Sequence, residues 1–409
     1  MGLGVLLGAW IARYLGTAGF GALNYATAFV ALFGTFATLG LDGIVVRDLV
    51  RTGESGTTLG TAFALKLAGG VVTLAGAATA ILIARPDDPH IFSLVVVISA
   101  ATLFQSADVV DFWFQSRVAS RYVVYARNAA FLVATGIRVV LVLTHAPLIA
   151  FAWAILLEAA LAAGGLATAY ASTREAAARW RVSIARSKEL LAAGWPLILS
   201  GMAIMIYMKI DIVMLGSMIG DRGAGVYAAA TRLSEVWYFI PVAVASSVAP
   251  AIAEAKATSE TLYYERLRQL FSWMAGLAVA VAIPMTLLSG WIVTLFFGSA
   301  YAAAGHILAI HIWAGVFVAL GVAQGLWDIN EGLVRLSLYR TAGGAIVNIA
   351  LNLLLIPRYE GLGSAIATVA SYALSACVFN SLSARTRPIF HIQIQAMTFR
   401  GTATRGGRQ

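Results

Sequence analysis

Charged residues are scarce in this sequence of 409 residues: only 11% are Asp, Glu, Lys or Arg, whereas 60% are apolar. A water-soluble domain carries about 25% charged residues, because its surface faces water. Here the apolar residues come in repeated blocks of about 20, the length of a helix that crosses a hydrocarbon core about 30 Å thick. We therefore expect most of the chain to lie in lipid.

Cysteine and metal-binding patterns are also lacking. The single cysteine, Cys377, excludes an internal disulfide and a cysteine-rich metal site. His306 and His311 are five residues apart, and no Glu or Cys completes a metal site around them. The sequence has neither a Gly-rich phosphate loop nor a Ser/His/Asp set of the kind that enzymes use. It therefore predicts no metal and no cofactor, and a protein that is not an enzyme.

Twelve apolar spans are predicted, and they have the length of helices, since a barrel strand needs only about 10 alternating residues. The first span is short and lacks the basic start of a signal peptide, so a truncated first helix is expected. The sequence thus predicts an all-α membrane protein. Its spans are 1–12, 18–40, 60–84, 91–110, 126–144, 147–170, 190–217, 225–250, 270–290, 303–323, 338–356 and 361–382.

The basic residues predict how the chain is oriented. If the N-terminus is cytoplasmic and the links alternate sides, 21 of the 28 Lys and Arg residues fall on the cytoplasmic side and 4 on the other. Membrane proteins keep their basic links in the cytoplasm, so both termini are expected there. The same rule accounts for the net charge of +9 without nucleic acid as a partner. The remaining three cations, Arg138, Lys209 and Arg232, fall inside spans.

The two halves of the chain resemble each other. Leu-Gly-Thr at 15–17 followed by Gly-Ala at 21–22 is echoed by Leu-Gly-Ser at 215–217 followed by Gly-Ala at 223–224. Six spans repeated in the same orientation form a parallel repeat, in which a central lumen lies between two lobes. In the longest link, Ser172 and Glu175 have capping-box spacing. The predicted domains are an N-lobe at 1–171, an amphipathic cytoplasmic linker at 172–189, a C-lobe at 190–384 and a basic cytoplasmic tail at 385–409.

Five segments carry a family resemblance that extends in order over nearly the whole chain. They resemble the Wzx-type polysaccharide flippases of the multidrug/oligosaccharidyl-lipid/polysaccharide exporter superfamily, whose members usually begin somewhat earlier. The resemblance implies export of an undecaprenyl-diphosphate-linked oligosaccharide, such as an O-antigen repeat, across the cell inner membrane by alternating access. The implied partners are this lipid, membrane lipids and other polysaccharide assembly proteins. The segments are 11–49, 194–216, 225–252, 296–310 and 351–372.

Cations inside the spans are the candidates for binding the head group. Carrying a diphosphate through a low-dielectric layer needs a wet cationic path, and arginine binds phosphate oxygens with two parallel hydrogen bonds. We expect this role for Arg138, Lys209 and Arg232. Arg13 and Arg47 match the family segments but lie near helix ends, where anchoring at the membrane surface is more usual.

Acidic residues beside these cations leave two interpretations open. Asp211 and Glu235 could pair with Lys209 and Arg232 as structural ion pairs. They could instead bind a coupling ion, H+ or Na+, since a carboxylate inside a membrane can take up a proton. A second acidic group is expected at cytoplasmic helix ends as solvated caps or gate contacts: Asp108, Asp111, Asp328 and Glu331.

Two other functions compete with the flippase. A cation-coupled multidrug exporter has the same architecture, but it needs acidic or aromatic residues in its lumen, whereas the charges predicted here are mainly cationic. A membrane-embedded polysaccharide polymerase usually presents catalytic carboxylates on a large outer loop, and every outer link here is short. The sequence therefore favours a transporter of an anionic lipid-linked glycan.

Overall fold

The computed structural model describes residues 2–52, 55–173 and 180–398, and these residues form helices and no strand. The first eight helices carry the predicted spans 1 to 7. Their bounds are α1 Gly2–Thr38, α2 Asp42–Thr52, α3 Ser55–Ala84, α4 Pro89–Ala100, α5 Asp108–Ser116, α6 Arg121–Leu143, α7 Leu148–Ala171 and α8 Ile184–Met218. A 3₁₀ segment, Ala101–Ala107, joins α4 to α5. The predicted cap residue Glu175 lies outside the described residues.

The last eight helices carry the remaining predicted spans. Their bounds are α9 Asp221–Glu235, α10 Phe239–Thr258, α11 Glu260–Leu287, α12 Ser289–Phe297, α13 Ala304–His311, α14 Ala314–Asn330, α15 Val334–Ala376 and α16 Arg387–Met397. Short 3₁₀ turns join α9 to α10 and follow α12 and α15.

Ten helical segments among the described residues are long and apolar enough to cross a membrane. Two of them are bent: Gly16 in α1 has φ 67°, and Glu360 in α15 has φ 50°. These bends fall where the sequence predicts a break between two spans. If each bent segment is counted as two, the ten segments give twelve helices that could cross the membrane. The all-α membrane class is therefore confirmed, with ten to twelve crossing helices.

Three short helices were not predicted: α2, α12 and α16. Helix α16 lies in the segment expected to be a basic tail. Its residues Ile389, Ile392 and Ala396 recur at helical spacing and are buried in a core with Leu267 and Phe271 of α11. The apolar face of α16 thus anchors the first part of the predicted tail, and residues 399–409 lie outside the described residues.

The chain forms two compact units. Unit N contains residues 22–213, and unit C contains residues 1–21 together with 214–409. These units place the start of α1 with the C-terminal helices and most of α8 with the N-terminal ones. The predicted lobe boundaries, 1–171 and 190–384, follow the repeat in the sequence and stay a prediction.

Each unit has its own apolar core. In unit N the core includes Leu41, Leu59 and Trp113, and the Trp113 ring meets the Tyr170 ring edge-on at 5.2 Å. Only 6% of Trp113 is exposed. In unit C the core includes Tyr263 on α11.

Part of the repeated glycine motif forms a helix crossing inside unit C. A Cβ at Gly21 of α1 would lie 2.7 Å from the backbone nitrogen of Gly225 in α9, and one at Gly225 would lie 3.0 Å from that of Gly21. No side chain fits between backbones this close, so both positions require glycine. Gly21, one of the glycines of the sequence echo, therefore has a structural role.

Candidate functional site

A buried lysine is the centre of a charge cluster in unit N. Only 1% of the Lys66 side chain is exposed, and its Nζ lies 3.6 Å from Asp108 and 3.8 Å from Asp42. The ammonium also lies 5.0 Å from the centre of the Phe112 ring. The orientation count places Lys66 with the cytoplasmic basic residues, and in the structure it lies within α3, where its neighbours cover it.

Arg127 completes this cluster from α6. Its Nη2 donates to Asp111 at 2.8 Å and to Asp108 at 3.1 Å, and the amide of Gln115 donates to Asp111 at 2.9 Å. Asp111 is 7% exposed, so the prediction of a solvated cap was wrong for this residue. Half of the Arg127 side chain remains exposed. We call Lys66, Asp108, Asp111 and Arg127 the unit N charge cluster.

This cluster borders a cavity of about 640 Å³ within unit N. Asp108, Arg127 and Glu158 supply its charged lining, and Gln105 adds an amide. One wall is a single face of α7, where lining residues recur at spacings of three and four. The alanines of this face leave the space that larger side chains would fill. The α7 face consists of Ile155, Glu158, Ala159, Ala162, Ala163 and Leu166.

Arg138, one of the predicted head-group cations, forms an ion pair at this cavity. Its Nη2 donates to Glu158 Oε2 at 2.6 Å, and 15% of its side chain is exposed. Glu158 was not predicted as a site residue, although a lone acidic residue in an apolar span was a visible signal. Arg127 and Arg138 are 11 residues apart on α6, so they share one helix face about 16 Å apart along the axis.

Unit C contains a buried ion pair that corresponds to the pair of Arg127 and Asp111 in unit N. Arg340 donates to the carboxylate of Asp328 and, at 2.6 Å, to the side-chain oxygen of Asn380. Asp328 is 2% exposed, so the predicted solvated cap was wrong here as well. Gln393 of α16 donates to the Ala376 carbonyl of α15 at 2.7 Å and lies 3.1 Å from the Gln324 amide of α14, so the network ties α14, α15 and α16 together.

The ion pairs Arg127–Asp111 and Arg340–Asp328 occupy corresponding places in the predicted repeat. In unit N the carboxylate lies on α5 and the arginine on α6, the next helix; in unit C the carboxylate lies on α14 and the arginine on α15. A third pair, Lys256 with Glu331 at 2.6 Å, lies beside the unit C network. The unit N pair opens on a cavity, whereas the Arg340 side chain is only 8% exposed.

Two other predicted cations are placed in unit C. Arg232 Nη2 donates to the Gly4 carbonyl at 3.1 Å, and its guanidinium lies directly over Gly8. Arg13 donates to the Leu295 carbonyl at 2.5 Å, near the end of α12, where carbonyls lack helical partners. Arg232 and Arg13 therefore both contact backbone carbonyls within unit C.

The remaining predicted site residues differ in burial. The Arg47 side chain is 69% exposed and lies 3.6 Å from Asp48, which Arg186 holds at 2.6 Å. Asp211 is 4% exposed, and Lys209 is half-buried on the same helix. Glu235 is half-buried at the end of α9. The head-group and ion-coupling roles of these residues stay predictions.

A second cavity, of about 480 Å³, lies within unit C. Arg222, His306, Tyr359 and Glu360 supply its polar lining, at the helix ends predicted to face outward. His311 is separate from it. The His311 ring is 3% exposed and its Nδ1 lies 2.6 Å from Ser234 Oγ, so it is a hydrogen-bonded core residue. Within the described ranges no three His, Cys, Asp or Glu side chains form a metal-binding group.

Comparison with known families assigns this architecture. The model of the polysaccharide biosynthesis protein family matches residues 1–256, more than half of the chain. The chain belongs to this family. The MatE family model also matches residues 196–354. Both models describe families of the transporter superfamily predicted from the sequence, so the predicted family and a transporter rather than an enzyme are confirmed.

Two curated relatives come from Haloferax volcanii. The probable flippase AglR is 28% identical over 195 residues, which cover 44% of this chain and 38% of that protein. The probable low-salt glycan biosynthesis flippase Agl15 is 24% identical over 177 residues, which cover 41% of this chain and 36% of that protein. The matched region thus spans less than half the length of either relative.

Solved structures share the fold over nearly the full length. An inward-facing multidrug resistance MATE family transporter matches with a TM-score of 0.72 and 14% identity, covering 98% of this chain and 96% of that one. The lipid II flippase MurJ in an inward closed conformation matches with a TM-score of 0.69 and 13% identity, covering 99% of this chain and 91% of that one. At these identities the likeness establishes the fold alone.

Proposed function

We propose that this protein is a flippase that moves an undecaprenyl-diphosphate-linked oligosaccharide, a surface polysaccharide repeat unit, across the cell inner membrane by alternating access. Membership of the polysaccharide biosynthesis protein family carries this proposal. Two matched proteins, AglR and Agl15, are described as probable flippases, which supports the same activity. Both termini are proposed to be cytoplasmic.

The charges inside the helical units support an anionic cargo. A cation in an apolar bundle is costly unless it is paired or serves a ligand. Arg138 lies within α6, and Arg127 borders the unit N cavity, where arginine forks suit phosphate oxygens. Lys209 and Arg232 are further head-group candidates within the spans, with Arg13 and Arg47 closer to helix ends. Asp211 and Glu235 are the proposed groups for coupling to H+ or Na+.

The experiment uses vesicles containing the purified full chain and an undecaprenyl-diphosphate-linked oligosaccharide. Flipping is measured as the fraction of glycan that becomes accessible to an external lectin that cannot cross the membrane. Alanine at Arg232 or Lys209 is expected to abolish flipping while the folded protein is retained. Arg335→Ala, which removes an exposed cation at the start of α15, is the matched control and should flip normally.

Each result has a defined meaning. Wild-type flipping by both the Arg232 and Lys209 variants would refute their head-group role. Absence of flipping by the wild-type chain, in vesicles where a known flippase works, would overturn the proposed function.

A cation-coupled multidrug exporter is the second candidate. The match of the MatE model to residues 196–354 and the structural likeness to a multidrug transporter favour it. An exporter would lower the cellular accumulation of a cationic dye such as ethidium, whereas the flippase would not. The polymerase alternative has no supporting observation.

A further inference from the structure

We propose that the unit N cavity binds a diphosphate group on Arg127, and that Glu158 takes up a proton when the group enters. This inference rests on the proposed function, because it assigns the cargo's diphosphate to a particular cavity. Arg127 would be the residue that binds the diphosphate and Glu158 the residue that couples binding to proton uptake. Both line this cavity, and neither is among the site residues expected from the sequence.

The charges around the cavity are already paired, which determines what can enter. In the described contacts each of the three cations, Lys66, Arg127 and Arg138, lies on at least one carboxylate: Asp42, Asp108, Asp111 or Glu158. A bound cation would have to compete with arginine and lysine for each carboxylate. An entering anion must instead take a cation away from a carboxylate, which then lies unpaired in a poorly solvated site.

Arg127 is the cation best placed to receive the anion. It lines the cavity, and half of its side chain is exposed, whereas Lys66 is buried and 15% of the Arg138 side chain is exposed. The carboxylates that Arg127 would give up remain stabilised. Asp108 keeps Lys66 at 3.6 Å, and Asp111 keeps the Gln115 amide at 2.9 Å.

Glu158 is in a different position. It lines the same cavity, and its described cationic contact is with Arg138. A diphosphate in the cavity repels the Glu158 carboxylate and attracts Arg138. Protonation removes this repulsion: a proton from solvent forms an O–H bond on Glu158, and the guanidinium of Arg138 turns to the phosphate oxygens. The cavity then holds one more anion and one more proton.

The α7 face explains why there is room for a group of this size. Ala159, Ala162 and Ala163 line the cavity beside Glu158, so its wall consists of small side chains at the position where the anion would lie. Because Arg127 and Arg138 share one face of α6, an anion entering at Arg127 has a second cation further along the same wall. A bulky residue at 162 should therefore block the site without changing any charge.

The test measures binding and proton uptake together on the purified full chain. Titration calorimetry with farnesyl diphosphate, in buffers of different ionisation enthalpy, gives the number of protons bound with the ligand. Glu158→Gln is expected to bind the ligand but to take up about one proton fewer than the wild type. Arg127→Gln should weaken binding about tenfold or more, since it removes charged hydrogen bonds. Protonation of the ligand itself is common to all variants and cancels in the comparison.

Matched controls separate the cavity from general ion-pair effects. Glu331→Gln breaks a second 2.6 Å ion pair of similar exposure, 24% against 31% for the Glu158 side chain, and Glu331 does not line the unit N cavity. It should leave proton uptake and affinity unchanged. Ala162→Phe should abolish binding, whereas Ala167→Phe, at an exposed position of α7, should not. Circular dichroism checks that both phenylalanine variants keep the helical content of the wild type.

Inorganic pyrophosphate distinguishes the source of the anion. Equal affinity assigns the site to the diphosphate alone, and tighter binding of farnesyl diphosphate assigns it to the lipid-linked form. Unchanged proton uptake in Glu158→Gln, or normal binding by a folded Ala162→Phe, would overturn this inference. If this inference fails but wild-type vesicles still flip glycan, the proposed function stands. If the wild-type chain binds farnesyl diphosphate and takes up the proton as expected but its vesicles do not flip glycan, only the proposed function fails.

Discussion

The guanidinium of Arg340 donates to the carboxylate of Asp328 across the turn that joins α14 to α15. Both side chains are nearly buried, with 8% and 4% of their surfaces exposed.

Tyr301, in the link before α13, is also buried, and its hydroxyl donates to the Ala12 carbonyl at 2.9 Å. Burial raises the pKa of Tyr301 above its ordinary value, so this hydroxyl stays a donor throughout the neutral pH range.

Removing Arg340 should strongly destabilise the protein. Loss of one partner leaves a buried carboxylate uncompensated, which typically costs about 3–5 kcal/mol. We expect Arg340→Ala to lower the free energy of unfolding by about this amount, measured by SDS-induced unfolding in mixed micelles. Arg127→Ala should cost about 1 kcal/mol, because half of that side chain faces solvent and Asp108 keeps Lys66. A larger loss for Arg127 than for Arg340 would contradict this ranking.

The helical spans could be predicted from the sequence because long apolar runs have few alternatives in lipid. The bends at Gly16 and Glu360 fall between predicted spans because polar or helix-breaking residues mark those points. Helix α16 was missed because its 11 residues are too few for a span and basic residues surround them. An apolar pattern this short predicts a buried helix only when the surface that it packs against, here α11, is known.

The candidate site was less predictable than the fold. Arg138 stood out because a charge in an apolar run is conspicuous, but its partner Glu158 lies 20 residues away on another helix. Pairing of this kind depends on tertiary packing, which hydropathy does not report. The burial of Lys66 was not predictable for a related reason: it lies near the start of a predicted span, and hydropathy does not report whether a residue near a span end is buried or exposed.

The contact between Arg232 and α1 predicts a measurable coupling. A Cβ at Gly8 would lie 2.6 Å from Nη2 of Arg232, whereas a Cβ at Gly4 would meet nothing within 4 Å. Gly8→Ala should therefore displace the guanidinium and weaken its hydrogen bond to the Gly4 carbonyl, at a cost of about 1 kcal/mol. A double-mutant cycle with Arg232→Ala measures this by SDS-induced unfolding.

In that cycle, Gly8→Ala is expected to have little effect once Arg232 is alanine. Gly4→Ala makes the same chemical change two residues into α1, where a Cβ has open space, and serves as the control. Additive effects of Gly8→Ala and Arg232→Ala would show that the two positions are not coupled.

Glu360 carries backbone strain that a substitution can release. Its φ of 50° and ψ of −130° are unfavourable for a residue with a side chain, typically by about 1–3 kcal/mol. Glu360→Gly should raise the free energy of unfolding by about 1 kcal/mol. Glu360→Ala removes the carboxylate but keeps Cβ, so it should bring no such gain. Equal stabilisation by both variants would mean that the charge, not the backbone, was responsible.

The orientation of the chain can be tested with single cysteines in a Cys377→Ala background. Asp87 lies in the exposed link between α3 and α4, on the side predicted to face outward, and Val118, 94% exposed, follows α5 on the opposite side. A membrane-impermeant maleimide should label Asp87→Cys on intact cells and Val118→Cys only after lysis, because basic links stay in the cytoplasm. Reversed labelling would place Arg127 and the unit N charge cluster at the outer side. The diphosphate of a precursor made in the cytoplasm would then meet the Arg138 end of α6 before Arg127, which would reverse the order of entry proposed for the cavity.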